Sequence, residues 1–354
     1  MTETGSLAGR RPRAAVFGCA GTVLSADERK LFTDADPLGL ILFQRNCEEP
    51  EQVRALVDEF RSAVGRADAP VLIDQEGGRV QRLKPPHWRD APAAGALVTA
   101  VTDAGGDFAA IAEAVTINSR LIAAELIELG ITVDCAPVLD LPVPGADAII
   151  GDRAFGVGPE EAARLGSAAC EGFMASGVAP VIKHIPGHGR ATVDSHESLP
   201  VVDTSVDELA ATDFVPFRGL AGAPWAMTAH VVYSELDPDR PATLSSKLIG
   251  GLIREGFGFD GVLVSDDLGM SALEGDMGER AARAIEAGCD VALHCSGEFD
   301  EMTAVAETAP PMNETAHGRF VRAEVQRRQG PHLAGDFDRV AALRRLSDLT
   351  GGML

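Results

Sequence analysis

Residues 183–196 read Lys-His-Ile-Pro-Gly-His-Gly-Arg-Ala-Thr-Val-Asp-Ser-His, a run that gathers three imidazoles, two cations and a carboxylate. Pro186, Gly187 and Gly189 deny it a helix, so a loop is expected. Asp194 and His196 stand two apart, close enough in a tight turn for the carboxylate to hold one imidazole nitrogen. A carboxylate so placed favours the imidazolium and keeps a proton ready to give, which is general acid and base chemistry. Alone, an Asp-x-His pair on a loop is ordinarily a solvated surface pair, so its neighbours must decide. A second acidic group, Ser265-Asp266-Asp267, follows the apolar run Val262-Leu263-Val264, where a strand's end would hold a carboxylate rigidly. A fixed carboxylate and a mobile proton donor suffice for nucleophilic displacement with acid assistance.

The elements that must position these groups alternate along the chain. Short apolar runs predict strands at 14–19, 39–43, 70–74, 132–136, 179–183, 225–229, 261–264 and 291–294. Amphipathic stretches predict helices at 26–32, 51–64, 108–129, 159–175, 206–220, 245–255, 278–287 and 299–308, followed by two polar helices at 313–328 and 336–349. Near-continuous apolar strands between helices read as parallel β packing, because both faces of such a sheet are covered. The expected fold is therefore α/β, a single-domain (β/α)8 TIM-like barrel with a core of about 14–308 and extra C-terminal helices over 313–349. An open doubly wound sheet is the alternative. Barrel enzymes place their chemistry where strands end. Here polar residues crowd those ends: Gln44-Arg45-Asn46, Asp74-Gln75-Glu76, Asp140, Lys183-His184, His230 and Ser265-Asp266-Asp267.

Composition narrows the partners. Against 31 Lys+Arg stand 53 Asp+Glu, a net charge of −22 over 354 residues, which repels phosphate backbones and anionic lipid. Nucleic acid and membrane surfaces are thus not expected partners. A hydrophobic content of 45% with 24% charged residues is that of a globular chain. No stretch approaches the ~20 apolar residues of a membrane span. The basic cluster at 10–13 precedes an apolar run broken by Gly18, Gly21 and Thr22, which is not a secretory core. Six cysteines without a CxxC pair read as buried small hydrophobes, and the expected location is the cytoplasm. Aromatics are 5% of the chain, too few for a long polysaccharide groove lined with stacking platforms. A pocket for one sugar fits better.

Lys183 to Gly189 followed by Asp194-Ser195-His196 resembles the signature of β-N-acetylhexosaminidases of glycoside hydrolase family 3, the NagZ type. So do Asp74-Gln75-Glu76-Gly77-Gly78-Arg79-Val80-Gln81-Arg82, Gly151-Asp152-Arg153-Ala154-Phe155-Gly156, Ala229-His230-Val231-Val232-Tyr233 and Ser265-Asp266-Asp267-Leu268, in the family's order. The resemblance implies a retaining glycosidase that uses neither metal nor other cofactor. It implies Asp266 as nucleophile, His196 as acid/base and Asp194 as the partner of that histidine. It also implies that Asp74, Arg82, Arg153, Lys183 and His184 bind the terminal N-acetylglucosamine. Asp267 is expected to be a cap or a supporting acceptor, although a strand boundary slipped by one residue would exchange it with Asp266. Glu76 and Arg79 are expected to hold the barrel mouth, His188 to shape the loop, Asp140 to stand behind the pocket and His230 to lie near its floor. Gly187 and Gly189 are expected to let the donor swing. Arg190 and Gly269 depart from the residues common at those places, and Arg190 is expected to alter loop closure or touch the aglycone. The resemblance further implies a small carbohydrate substrate, a muropeptide of cell-wall recycling or else a chitooligosaccharide end, from which N-acetylglucosamine is released; the expected enzyme is a monomer.

Three other readings compete. His184, His188, His196 and Asp194 are metal-ligand types, but Pro186 and Gly187 deny His184 and His188 the helix that their spacing would need. Gly256-Phe257-Gly258-Phe259-Asp260-Gly261 spells a dinucleotide pattern, yet it precedes a strand and reads as a helix stop and turn. A β-N-acetylglucosaminide phosphorylase would keep the fold and pass the sugar to phosphate.

Overall fold

Ten strands, none longer than seven residues, organise the chain in a computed structural model that describes residues 11–329 and 337–353. They are β1 (Arg13–Phe17), β2 (Pro37–Leu42), β3 (Val71–Ile73), β4 (Val133–Asp134), β5 (Ala179–Ile185), β6 (Val201–Val202), β7 (Trp225–Thr228), β8 (Val232–Tyr233), β9 (Val262–Asp267) and β10 (Val291–His294). Eight of them close a parallel barrel in the order β1-β10-β9-β7-β5-β4-β3-β2, while β6 and β8 pair separately. Burial explains the sequence pattern: every residue of β2 and of β5 is buried, one face toward the barrel interior and the other toward the helices. The expected (β/α)8 barrel is the fold.

Inside the barrel Val16, Leu38, Leu72, Val133, Val181, Trp225, Val262 and Val291 meet side chains that arrive from beyond the last strand: Met312, Ala316, Phe320 and Ala323. The helix Glu314–Gln329 thus seals the N-terminal ends of the strands. Phe320 stands edge-on to Trp225, the first residue of β7, with ring centroids 6.2 Å apart. Its outer residues are tied down by charge. Arg319 reaches Asp290 at 3.0 Å and Asp260 at 2.8 Å, and buried Asp290 also holds Arg254 at 2.7 Å. The sequence suggests a polar helix here. Much of its polarity faces outward, Glu324 and Arg327 are buried as a mutual pair, and Ala316, Phe320 and Ala323 fall on one side at helical spacing. Phe320→Ala should cost about 3–5 kcal/mol, the range for emptying a buried aromatic site. Denaturant unfolding would measure that cost, with kcat of the folded fraction unchanged because the change is at the opposite end from the strand tips.

Two helices depart from the expected pattern. The helix Ala94–Asp103 lies where none is predicted; its N-cap is Ala93 without a side-chain hydrogen bond, so no start signal marks it. The helix predicted over 206–220 is two short ones, Val206–Ala211 and Phe214–Gly219. Pro216 explains the break, since it has no N–H for the carbonyl of Thr212 and its ring crowds that carbonyl. After the barrel come Glu314–Gln329 and Arg339–Leu349. The first residue of the helix predicted over 336–349, and Arg10 of the basic cluster, lie outside the described residues. No helix among the described residues is long and apolar enough to cross a membrane, and all six cysteines are free.

Candidate active site

Lys183 leaves the end of β5 completely buried and serves two carboxylates: its Nζ lies 2.8 Å from Asp74 Oδ1 and 2.6 Å from Glu76 Oε1. Both acids stand just past β3. Arg82 reaches the other oxygen of Asp74 at 3.1 Å, and Arg153 grips Glu76 with two bonds, Nε at 2.8 Å and NH2 at 2.9 Å. Such bidentate charge-assisted pairs are strong and directional. Burial opposes the charge on Asp74 and on Glu76, yet Lys183 with Arg82 or Arg153 overcomes it and holds both acids below their usual range. The same acids outweigh burial at Lys183 and raise it. Asp74, Glu76 and Lys183 are thereby held in their charged forms.

Lys183→Ala would leave two buried carboxylates without their shared cation, a loss worth about 3–5 kcal/mol. Chemical denaturation at neutral pH would show it as a lowered midpoint. Because the folded acids titrate below their unfolded values, their contribution is complete above the unfolded range of roughly 3.9–4.3. It fades as pH falls below about 4. The wild-type protein should therefore lose more stability than the variant on acidification.

His184 is fixed from behind. Asp140, fully buried after β4, takes His184 Nδ1 at 2.7 Å, the His184 backbone N–H at 3.2 Å and the His188 backbone N–H at 2.7 Å. Asp140 thus stands behind the pocket, as expected, and sets both the ring and the start of the loop. The Lys183–His184 peptide is cis.

Asp266, the penultimate residue of β9, has a half-buried carboxylate, whose Oδ1 accepts the Asp267 backbone N–H at 2.8 Å. Burial opposes its charge, but His184, His230, that N–H and Lys183 prevail and keep it below the ordinary aspartate value. Asp267 is committed elsewhere: its Oδ1 accepts the backbone N–H groups of Gly269 at 3.0 Å and Cys295 at 3.1 Å. His230 sits behind the strand tip rather than on the pocket floor. Burial lowers its pKa, and the ring gives Nε2–H to the carbonyl of Asp267 at 3.0 Å.

On the loop, Asp194 Oδ1 accepts both the backbone N–H and the ring Nδ1 of His196 at 2.8 Å. That leaves the Nε2 side of a ring 62% exposed to solvent. His188 reaches Ser195 Oγ at 3.2 Å and so shapes the loop from inside. The expected glycine hinge is corrected. A Cβ on Gly189 would lie 2.1 Å from the carbonyl oxygen of Leu141, and one on Gly187, at φ +140°, would lie 3.1 Å from Asp213. These glycines permit close packing, and the loop is pinned where they stand. Arg190 points away from the pocket, onto Asp213 at 2.6 Å, Glu208 at 2.8 Å and Thr212 at 3.1 Å. It bears on the loop and not on an aglycone.

One cavity of about 260 Å³ collects Asp74, Arg82, Arg153, Lys183, His184, His196 and Asp266. Asp194 lies behind His196 and Glu76 behind Lys183 and Arg153. Arg79 reaches the rim but binds the carbonyls of Ala148 and Ile149, steadying the segment that carries Arg153. The volume is below the roughly 300–1,000 Å³ of drug-sized sites, a space for one sugar ring. Sequence reasoning missed the apolar wall: Phe43, Met227, Met270, Leu293 and Cys295. The guanidinium groups of Arg45 and Arg82 both stand over the Phe43 ring, each 5.0 Å from its centre. An apolar residue ending an apolar strand carries no mark that separates wall from core. Among the described residues no three His, Cys, Asp or Glu side chains are grouped to hold a metal ion.

The family model described as the glycosyl hydrolase family 3 N terminal domain matches residues 17–325. A β-hexosaminidase from Alkalilimnicola ehrlichii is 40% identical over 311 residues, 87% of this chain and 87% of that protein. The structure of native NagZ from Neisseria gonorrhoeae superposes with a TM-score of 0.86 at 32% identity, covering 98% of this chain and 99% of that one. A β-N-acetylhexosaminidase from Beutenbergia cavernae superposes with a TM-score of 0.72 at 28% identity, each chain covered to 96%.

Proposed function

We propose, for a chain that belongs to glycosyl hydrolase family 3 and is a glycoside hydrolase, that it is a retaining exo-β-N-acetylglucosaminidase. One observation carries the reading. A depressed, strand-anchored carboxylate and a carboxylate-held imidazole on a loop line a single sugar-sized cavity.

In the first step the Asp266 carboxylate attacks the anomeric carbon while His196 gives its Nε2 proton to the glycosidic oxygen. The aglycone leaves as an alcohol, and an ester joins the sugar to Asp266. In the second step neutral His196 takes a proton from water as that oxygen attacks the same carbon. The carboxylate and the imidazolium are restored. Asp194 steadies the imidazolium through Nδ1 and aims Nε2 outward. An imidazolium donor attracts the neighbouring carboxylate, whereas the usual second carboxyl would repel it unless kept neutral. Asp74, Arg82, Arg153, Lys183 and His184 would grasp the hydroxyls and amide of the terminal sugar, with acids accepting and cations donating.

The substrate we assign is a muropeptide, N-acetylglucosamine joined to anhydro-N-acetylmuramic acid with its peptide, in cell-wall recycling in the cytoplasm. Six free cysteines support a reducing compartment. The test is to incubate the protein with that disaccharide-peptide and, separately, with diacetylchitobiose, with and without inorganic phosphate. Free N-acetylglucosamine formed faster from the muropeptide, independently of phosphate, is the expected result. Sugar 1-phosphate formed only when phosphate is added would identify a phosphorylase, and no release from either substrate would overturn the assignment.

A further inference from the structure

Tyr233 is the only tyrosine of the chain, and it is fully buried between the two ends of the loop that carries His196. Its hydroxyl donates to the carbonyl of Gly187, where the loop begins, at 2.5 Å. Its backbone lies in β8, paired with β6 where the loop ends: Val202 stands opposite Tyr233 and Val201 opposite Val232. The backbone N–H groups of Val232 and Ser234 donate to the carbonyls of Pro200 and Val202 at 2.9 and 3.2 Å. Beyond β8 a tight turn returns N–H groups of Leu236 and Asp237 to the Tyr233 carbonyl, both at 2.9 Å. The ring rests against Phe214, 6.4 Å between centroids, on the helix whose preceding residue Asp213 grips Arg190.

Tyr233 thus holds the first foot of the loop through its hydroxyl while its flanking residues Val232 and Ser234 hold the second, and the stretch between the feet carries Asp194 and His196. We propose that Tyr233 is a positioning residue for proton transfer, clasping the loop so that His196 meets the glycosidic oxygen at a repeatable place. This rests on His196 being the acid. Releasing the Gly187 carbonyl lets one foot drift, and a small misplacement of a proton donor is expensive in rate.

Tyr233→Phe keeps the ring and removes only the clasp. Steady-state kcat/KM, which reports the first step and not the base-assisted second one, should be compared for wild type, Y233F and H196A on a disaccharide, whose alcohol needs the proton, and on a 4-nitrophenyl glycoside, whose phenolate does not. Y233F is expected to lose roughly tenfold to hundredfold on the disaccharide and little on the aryl substrate. A merely structural role would lower both alike or lower neither, and either result overturns the proposal. Equal losses in H196A would instead show that the acid assignment has failed, which separates the two. Hydrogen exchange on the wild-type protein decides the matter even if Y233F does not accumulate. Amides at 187–190 and 201–202 should be protected while those at 192–199 exchange quickly, and fast exchange at both feet would refute the clasp.

Discussion

Asp266→Ala should lower kcat by about 10⁴-fold or more, the scale on which loss of an isolated nucleophile slows an enzyme that forms a covalent intermediate. The carboxylate is placed for it: β9 holds it rigidly, Asp267 N–H supports one oxygen at 2.8 Å, and His184 and His230 keep it ionised despite burial. Substrate affinity should change far less, because Lys183, Arg153 and Arg82 are held by Asp74 and Glu76 and not by Asp266. Mass spectrometry after incubation with a slow 5-fluoro glycosyl donor should find the sugar on Asp266. A label on Asp267 would exchange the two roles. That outcome would also require the Asp267 carboxylate to give up the N–H groups of Gly269 and Cys295, which it now accepts.

The second large effect is expected at His196. Its alanine variant should slow hydrolysis of substrates with alcohol leaving groups by about 10²–10⁴-fold, the usual worth of general acid catalysis. Activated aryl glycosides need no proton at the leaving oxygen, so their first step should be nearly unaffected. Asp194→Asn should show the same split at smaller size, because it removes charge but leaves a side chain able to accept the Nδ1 proton. Paired kcat/KM measurements on the two substrate classes, which isolate the first step from the base-assisted second one, check both variants. Equal losses across leaving groups would dismiss His196 as the acid.

Much of this was legible before any coordinates. Eight apolar runs separated by amphipathic stretches predict the barrel, because a strand buried on both faces has few polar positions to confuse the pattern. The strand tips are legible taken together: one charged tip is ordinarily a solvated strand end, but six polar tips on one rim are not. Asp74, Lys183 and the Asp266–Asp267 pair stand out that way, while their roles, and the choice of Asp266 over Asp267, come from the family resemblance. What stayed hidden depends on distance through space. Tyr233 and Gly187 are 46 positions apart, and no local spacing links a phenol to a carbonyl. The role of Gly189 was misread for the same reason, since flexibility and close packing call for the same residue and only the neighbouring Leu141 carbonyl tells them apart. The helix Ala94–Asp103 begins without a cap, so nothing announces it.

The barrel is a ring, and its first strand is joined to its last. β1 meets β2 on one side but waits for β10, roughly 270 residues later, on the other. At about 5–20 residues per second of synthesis, that wait is tens of seconds, during which an apolar strand edge stands open on the nascent polypeptide. Sealing comes later still, when Phe320 has followed. A polypeptide cut short before β10 is therefore expected to keep that edge open and to aggregate in place of closing.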